Sequence, residues 1–256
     1  VIISVIPCQH IRSTLKDKGL SIPKETMILS ATKGIEKETL KRPSEILQEL
    51  LKTDNIAVLS GPNLSKEIAK GLPAASVVAC GGLDIAKKLQ EILNTENFRI
   101  YTSDDVIGVE LGGALKNVIA IAAGICDGLG LGSNAKSALI VRGMAEIKRL
   151  GIAEGAKSET FSGLSGIGDL ITTCQSSLSR NHFVGEQLAK GKIMAEIQKS
   201  MSWVPEGVDT SVSALKLAEK LNVEMPITRE VYKVLFEGKK TAETIRRLMG
   251  RSLKSE

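Results

Sequence analysis

Along the first hundred residues two hydrophobic periods alternate. Short β-branched runs at 1–6, 27–32, 56–60, 75–80 and 98–102 read as buried strands. Charged segments fall between them, such as Asp84-Ile-Ala-Lys-Lys-Leu-Gln-Glu-Ile-Leu93, whose apolar residues recur at helical spacing. Strands alternating with helices predict an α/β sheet, largely parallel at its start. After Ser103-Asp104-Asp105 the strand pattern stops, and everything from Val106 onward reads as helices punctuated by glycine-rich turns at 128–132 and 163–168. The expected organisation is an α/β domain over 1–104 followed by an all-α domain over 105–256. The chain opens on Val1 rather than methionine, with a complete buried-strand pattern already in place, so an upstream segment is expected.

One helical pattern stands apart. Val109-Glu-Leu-Gly-Gly-Ala-Leu-Lys-Asn-Val-Ile-Ala-Ile-Ala-Ala-Gly124 is apolar on nearly every side, which predicts a helix buried in a core. It nevertheless carries Lys116 and Asn117. A buried ammonium costs several kcal/mol unless a counter-ion or ligand compensates it, so Lys116 should face a substrate, pair with Glu110, or snorkel to the surface. The uncharged stretches beside Lys116 are shorter than the ~20 residues of a membrane span, which argues against stable membrane insertion.

Composition narrows the chemistry. With 256 residues, 43 % of them hydrophobic, the chain can bury a sizeable core. The net charge of +5 suits an anionic substrate, while the 3 % aromatic content and scattered Lys and Arg argue against nucleic acid. Cys8, Cys80, Cys126 and Cys174 lie far apart among apolar or small residues, as reduced core thiols do, and no signal peptide is present, so the expected compartment is the cytoplasm. Only His10 and His182 are available, which leaves a histidine metal site or a Ser-His-Asp triad unsupported; acid-base work falls to lysine and carboxylates.

Ligands of open parallel sheets bind at the carboxyl ends of the strands. Three such ends carry turn or polar residues: Pro7 to His10, Thr32-Lys33-Gly34 and Ser60-Gly61-Pro62-Asn63, with Lys33 placed to overhang a crevice. Gly128-Leu-Gly-Leu-Gly132 follows a helix rather than a strand and is not a dinucleotide fingerprint. Gly163-Leu-Ser-Gly-Ile-Gly-Asp169 lacks the glycine of a nucleophile elbow two residues after Ser165. Asp169 opens an apolar segment with Thr172 and Thr173, as a helix N-cap or as a functional carboxylate. Ser179 reads as another N-cap, which puts Arg180 and Asn181 in a first helical turn, where the dipole disfavours a cation unless an anion binds at the same helix start. Trp203-Val-Pro-Glu-Gly-Val208 reads as a turn ahead of a helix.

Together these stretches resemble the bacterial-type NAD(P)-dependent glycerol-3-phosphate dehydrogenases. The resemblance rests on Ala31-Thr-Lys-Gly-Ile-Glu36, Leu59-Ser-Gly-Pro-Asn63, the 109–124 helix, Gly163 to Cys174, Leu178-Ser-Arg-Asn181 and Glu206-Gly-Val208, in matching order and spacing over essentially the whole chain. It implies a Rossmann-like domain, N-terminally incomplete because the family's Gly-rich fingerprint is absent here, followed by a helical substrate domain; without that fingerprint to grip the cofactor, the chain as given is expected to be inactive on its own. It implies Lys116 as catalytic acid-base, with Lys33, Gly61, Asn63, Asn117, Asp169, Thr173, Ser179, Arg180 and Asn181 around a phosphorylated substrate. Lys33, Ser65, Arg180, Val204 and Glu206 are implied to meet NAD or NADP, the preference between them being set by residues outside this sequence. The implied reaction is reversible reduction of dihydroxyacetone phosphate to sn-glycerol 3-phosphate, the backbone of phospholipids, by a homodimer. The chain departs from the family at Asn63, Leu64 and Ser65, where Ser or Thr, Phe and Ala are usual, and at Pro205. Alternatives are a hydroxyacid or 6-phosphogluconate dehydrogenase, which would not account for Leu-Ser-Arg-Asn at 178–181, and a non-catalytic phosphate-binding remnant.

Overall fold

The fold was analysed in a computed structural model that describes residues 1–16, 18–20, 22–201 and 205–253. Among these, five strands form one sheet in chain order: β1 (Ile2–Ser4), β2 (Ile28–Ser30), β3 (Ile56–Ser60), β4 (Ala74–Ala79) and β5 (Phe98–Ser103). Helices α1 (Ile11–Leu15) and α2 (Pro43–Leu51) lie in the crossovers that make β1, β2 and β3 parallel. The link from β3 to β4 holds only the one-turn helix α3 (Ser65–Ile68), and β4 returns antiparallel. Helix α4 (Leu83–Leu93) then carries the chain over to β5, parallel to β4.

Strand alternation sorts the sheet's two faces. Leu29, Ala57, Val78 and Ile100 pack on Ala86 and Leu89 of α4. On the other face Ile28 and Ile56 meet Ile11, Ile46 and Leu47 of α1 and α2. The first strand is shorter than its 1–6 pattern: it pairs only over Ile2–Ser4, at the edge of the sheet, where Ile2, Ile3 and Val5 are exposed.

Among the described residues beyond Ser103 every regular element is helical: α5 (Val106–Gly128), α6 (Gly132–Ala153), α7 (Asp169–Gln175), α8 (Arg180–Ala189), α9 (Met194–Lys199), α10 (Glu206–Lys220), α11 (Pro226–Phe236) and α12 (Thr241–Met249). The segment 163–168, expected as a turn, instead holds a π-helical turn at Leu164–Gly168 that runs straight into α7. Helix α5 is the axis of the molecule. Asp105 caps it by accepting from the Gly108 amide at 2.9 Å, and every residue from Gly108 to Cys126 is buried. It is long and apolar enough to cross a membrane, but 89 % of its apolar window lies inside the protein, so it is a core helix.

Two glycines let α8 lie directly on α5. A Cβ at Gly124 would come within 2.0 Å of the His182 carbonyl oxygen, and one at Gly185 within 2.0 Å of the Ile121 carbonyl oxygen. From the sheet side, Val109 of α5 packs on Val58, Val77 and Ala79. Glu110 does not pair with Lys116. It accepts from the Ser44 amide at 2.9 Å, the Ser44 hydroxyl at 2.6 Å and Arg42 Nη1 at 2.8 Å, fastening α5 to the start of α2. The Lys116 face of α5 is thereby carried to the ends of β2 and β3.

Candidate active site

Four elements meet at Lys116, which is only 7 % exposed. Its Nζ donates to Thr173 Oγ1 at 2.7 Å and to Asp169 Oδ1, both on α7. The Thr173 hydroxyl in turn donates to the Asp169 carbonyl at 2.7 Å, so it presents a lone pair to the lysine. Asp169, 1 % exposed, receives a second ammonium on its other oxygen: Lys33 Nζ, from the loop after β2, at 2.6 Å. Lys33 Nζ also donates to the Gly61 carbonyl at 3.0 Å, at the end of β3. Asp169 is therefore not an N-cap; its carboxylate turns inward and bridges two cations. Close packing makes the bridge possible, since a side chain at Gly113, one turn before Lys116, would run into Ser60 Oγ and the Lys33 stem.

Electrostatics follow from this burial. Desolvation, then the nearby Lys33 ammonium, outweigh the pull of Asp169 and bring the Lys116 amine from 10.5 down to about 7. A lysine so tuned exchanges its proton near neutral pH, as an acid-base group requires. Each ammonium has three N–H bonds, and both lysines use two of them on protein oxygens. One donor on each is left for a ligand.

A second cluster gathers around Glu206, the first residue of α10. Its Oε1 accepts from the Cys8 amide at 3.1 Å, while Oε2 is buried with no hydrogen-bond partner. Burial raises this carboxyl to about 7, against the lowering effect of the Cys8 amide; Asp209 adds to the rise and Arg180 opposes it. A Cβ at Gly34 would lie 2.8 Å from Glu206 Oε2 and from the Cys8 Cβ, so the residue after Lys33 must be bare for the loop to sit there. Cys8 as a partner of Glu206 escaped the sequence reading, although its strand end was among the candidates; the two are 198 residues apart.

The remaining candidates are distributed along the crevice. Asn63 accepts from the Ser76 hydroxyl. Ser179 caps α8 by accepting from the His182 amide at 3.3 Å, and Arg180 is the exposed first residue of that helix. Asn181 donates to Asn117 Oδ1 at 3.0 Å and accepts from the Gly207 amide at 3.1 Å, tying the start of α8 to α5 and α10. Ser65 is exposed at the first position of α3. Val204 lies outside the described residues. Among those residues no His, Cys, Asp or Glu cluster could hold a metal. A cavity of about 990 Å³ between α6, α11 and α12 includes none of these groups, so charge and hydrogen bonding, not volume, locate the site.

Residues 105–246 match the family described as NAD-dependent glycerol-3-phosphate dehydrogenase C-terminus, and residues 1–86 its N-terminus counterpart. A glycerol-3-phosphate dehydrogenase (NAD(P)+) of Citrifermentans bemidjiense is 48 % identical over 259 residues, covering 100 % of this chain and 77 % of that protein. One from Synechocystis is 47 % identical over 257 residues, covering 100 % of this chain and 81 % of its own length. The crystal structure of glycerol-3-phosphate dehydrogenase from Coxiella burnetii superposes with a TM-score of 0.92 at 38 % identity, over 98 % of this chain and 77 % of that one.

Proposed function

We infer the function from the family to which the chain belongs, the NAD-dependent glycerol-3-phosphate dehydrogenases: it reduces dihydroxyacetone phosphate reversibly to sn-glycerol 3-phosphate with NADH or NADPH, supplying the backbone of glycerophospholipids. The match in both halves favours this reading over a hydroxyacid or 6-phosphogluconate dehydrogenase. The division at 104/105 into cofactor and substrate domains follows the same reading. The observation that carries the mechanism is the buried Lys116, tuned to about 7 and held by Asp169 and Thr173 with one N–H to spare.

The residues fit a nicotinamide cofactor at one point of this structure. Glu206 Oε2 is a buried, unpartnered oxygen beside the bare backbone of Gly34, suited to a donor such as a carboxamide or a ribose hydroxyl. Glu206 and Lys33 would hold the cofactor together with Arg180, and the family resemblance adds Ser65 and Val204 to this role. When bound, the nicotinamide supplies a hydride to the carbonyl carbon of the substrate. The chain's own residues manage the oxygen. As negative charge builds there, the free N–H of the Lys116 ammonium stabilises it and then delivers the proton; in the oxidative direction the neutral amine removes it. Asp169 and Thr173 aim Nζ, and Asn117 lies one residue along the helix. Lys33, Gly61 and Asn63 close the sheet side. The first turn of α8, with Ser179, Arg180 and Asn181, takes the phosphate, where the helix dipole and a guanidinium act together.

Four buried free thiols are consistent with a reducing cytoplasm, and a homodimer completes the reading. The test is substrate-dependent oxidation of NADH and NADPH by the purified full-length protein, with its glycine-rich nucleotide-binding segment in place. Dihydroxyacetone phosphate should be reduced and simple 2-oxoacids should not; turnover of a 2-oxoacid without reduction of dihydroxyacetone phosphate would transfer the protein to the hydroxyacid class.

A further inference from the structure

The first turn of α8 holds one group that the reaction above does not use. His182 is buried, and its Nε2 lies 2.7 Å from Asp127 Oδ2 in the last turn of α5. Asp127 also receives Lys136 Nζ from α6 at 2.6 Å, and Glu186 Oε1 lies 3.9 Å from the other ring nitrogen. Burial pushes the Asp127 carboxyl up, but the hydrogen bonds from Lys136 and His182 outweigh it and hold it below its usual range. An ionised carboxylate can only accept, so Nε2 carries the hydrogen in this bond.

The backbone contacts at Gly124 and Gly185 fix how closely α8 approaches α5. They also require Gly185 to face α5, which sets the rotation of α8 coarsely, three residues beyond its first turn. Two side-chain ties then fasten the first turn itself, because consecutive residues project about 100° apart around a helix and so hold it from different directions. One is Asn181, bonded to Asn117 and Gly207; the other is His182, bonded to Asp127. Arg180 immediately precedes both, so the same two ties fix where its backbone stands at the start of α8.

We propose that the Asp127–His182 hydrogen bond is a positioning device for Arg180, setting the affinity of the α8 start for the phosphate end of the substrate; this rests on the phosphate assignment made above. His182 touches no reacting atom, so its removal is felt in binding and not in the chemical step.

The test compares His182→Leu, His182→Gln, Asp127→Ala and Arg180→Lys in one assay: kcat and KM for dihydroxyacetone phosphate, with the dissociation constant of glycerol 3-phosphate measured by calorimetry. His182→Leu and Asp127→Ala should each raise KM and the dissociation constant about tenfold, with kcat within about twofold of wild type, in keeping with the loss of one hydrogen bond to a charged group. His182→Gln, whose amide nitrogen can take the place of Nε2, should recover most of the affinity. Asp127→Ala probes the same bond without altering α8, so a folding defect in His182→Leu does not remove the test. Unchanged affinity in both deletions while Arg180→Lys weakens binding overturns the positioning role and leaves the phosphate site standing. Loss that glutamine does not restore, or loss confined to kcat, also overturns it. If Arg180→Lys changes nothing, the phosphate assignment itself fails.

Discussion

Replacing Lys33 with methionine removes one of the two ammoniums bridged by Asp169, and the geometry dictates how Lys116 must respond. Lys116 bonds Oδ1 and Lys33 bonds Oδ2 of the same carboxylate. Two like charges bound to one carboxylate in a medium of effective dielectric about 20 repel by a few kcal/mol. Because Lys33 retains some contact with solvent, about 1.4 to 2.7 kcal/mol of this survives, or about one to two pKa steps. Losing Lys33 also leaves Asp169 to act on Lys116 alone, which shifts it in the same direction. The amine should rise from about 7 to roughly 8–9. Reduction needs Lys116 protonated, so kcat/KM for dihydroxyacetone phosphate falls as pH climbs through that pKa. The alkaline limb of the kcat/KM profile should therefore lie near 7 in the wild type and move up by one to two pH units in Lys33→Met, while the limb set by ionisation of the substrate phosphate stays in place. A limb that stays put or moves down would refute the claim that Lys33 holds the Lys116 pKa low.

Two further outcomes follow from the same geometry. Arg180→Lys keeps the charge but loses the planar fork, so KM for dihydroxyacetone phosphate should rise about tenfold while turnover of unphosphorylated dihydroxyacetone is little changed; equal losses on both substrates would place Arg180 away from the phosphate. Gly185→Ala puts a methyl group 2.0 Å from the Ile121 carbonyl oxygen, forcing α5 and α8 apart at a cost of roughly 3 kcal/mol, and the thermal midpoint should drop by about 6–12 °C; an unchanged melt would show that the helices are not held at this spacing.

What the sequence revealed follows from how far apart the interacting residues are. Helix α5 was legible because it is apolar on every side, a local property that no tertiary detail could reverse. The end of the sheet at Ser103 was legible for the same reason. The extent of β1 was not: the strand pattern runs from Val1 to Ile6, yet pairing with β2 covers only Ile2–Ser4, and pairing is set by the neighbouring strand as well as by propensity. The antiparallel return of β4 was also hidden, since it depends on a one-turn connection at α3 where a full crossover helix would have kept the strands parallel. Within the site, Lys116 drew attention as a charge in an apolar helix, but its partner could only be narrowed to Glu110 or a ligand. The true partner, Asp169, lies 53 residues away, and Lys33 reaches that carboxylate across 136 residues. Asp169 itself looked equally like an N-cap, because a carboxylate at a helix start carries the same local signal whichever way it points. The family resemblance supplied these residues together, and the structure supplies the hydrogen bonds that explain why they belong together.

The central claim is that Lys116 is the proton donor, and the most direct measurement is the turnover of Lys116→Ala in the full-length protein set against its ligand binding. The side chain is buried beside Thr173 and Asp169, so its loss should leave a folded protein whose dissociation constants for the nicotinamide cofactor and for glycerol 3-phosphate stay within a few fold of wild type. Proton transfer by a positioned group is worth about 10² to 10⁴ in rate, and stabilisation of the developing alkoxide adds to it, so kcat should fall by at least about 10². A variant that binds both ligands and retains more than about half of the wild-type kcat would remove Lys116 from the chemistry and contradict the account at its base.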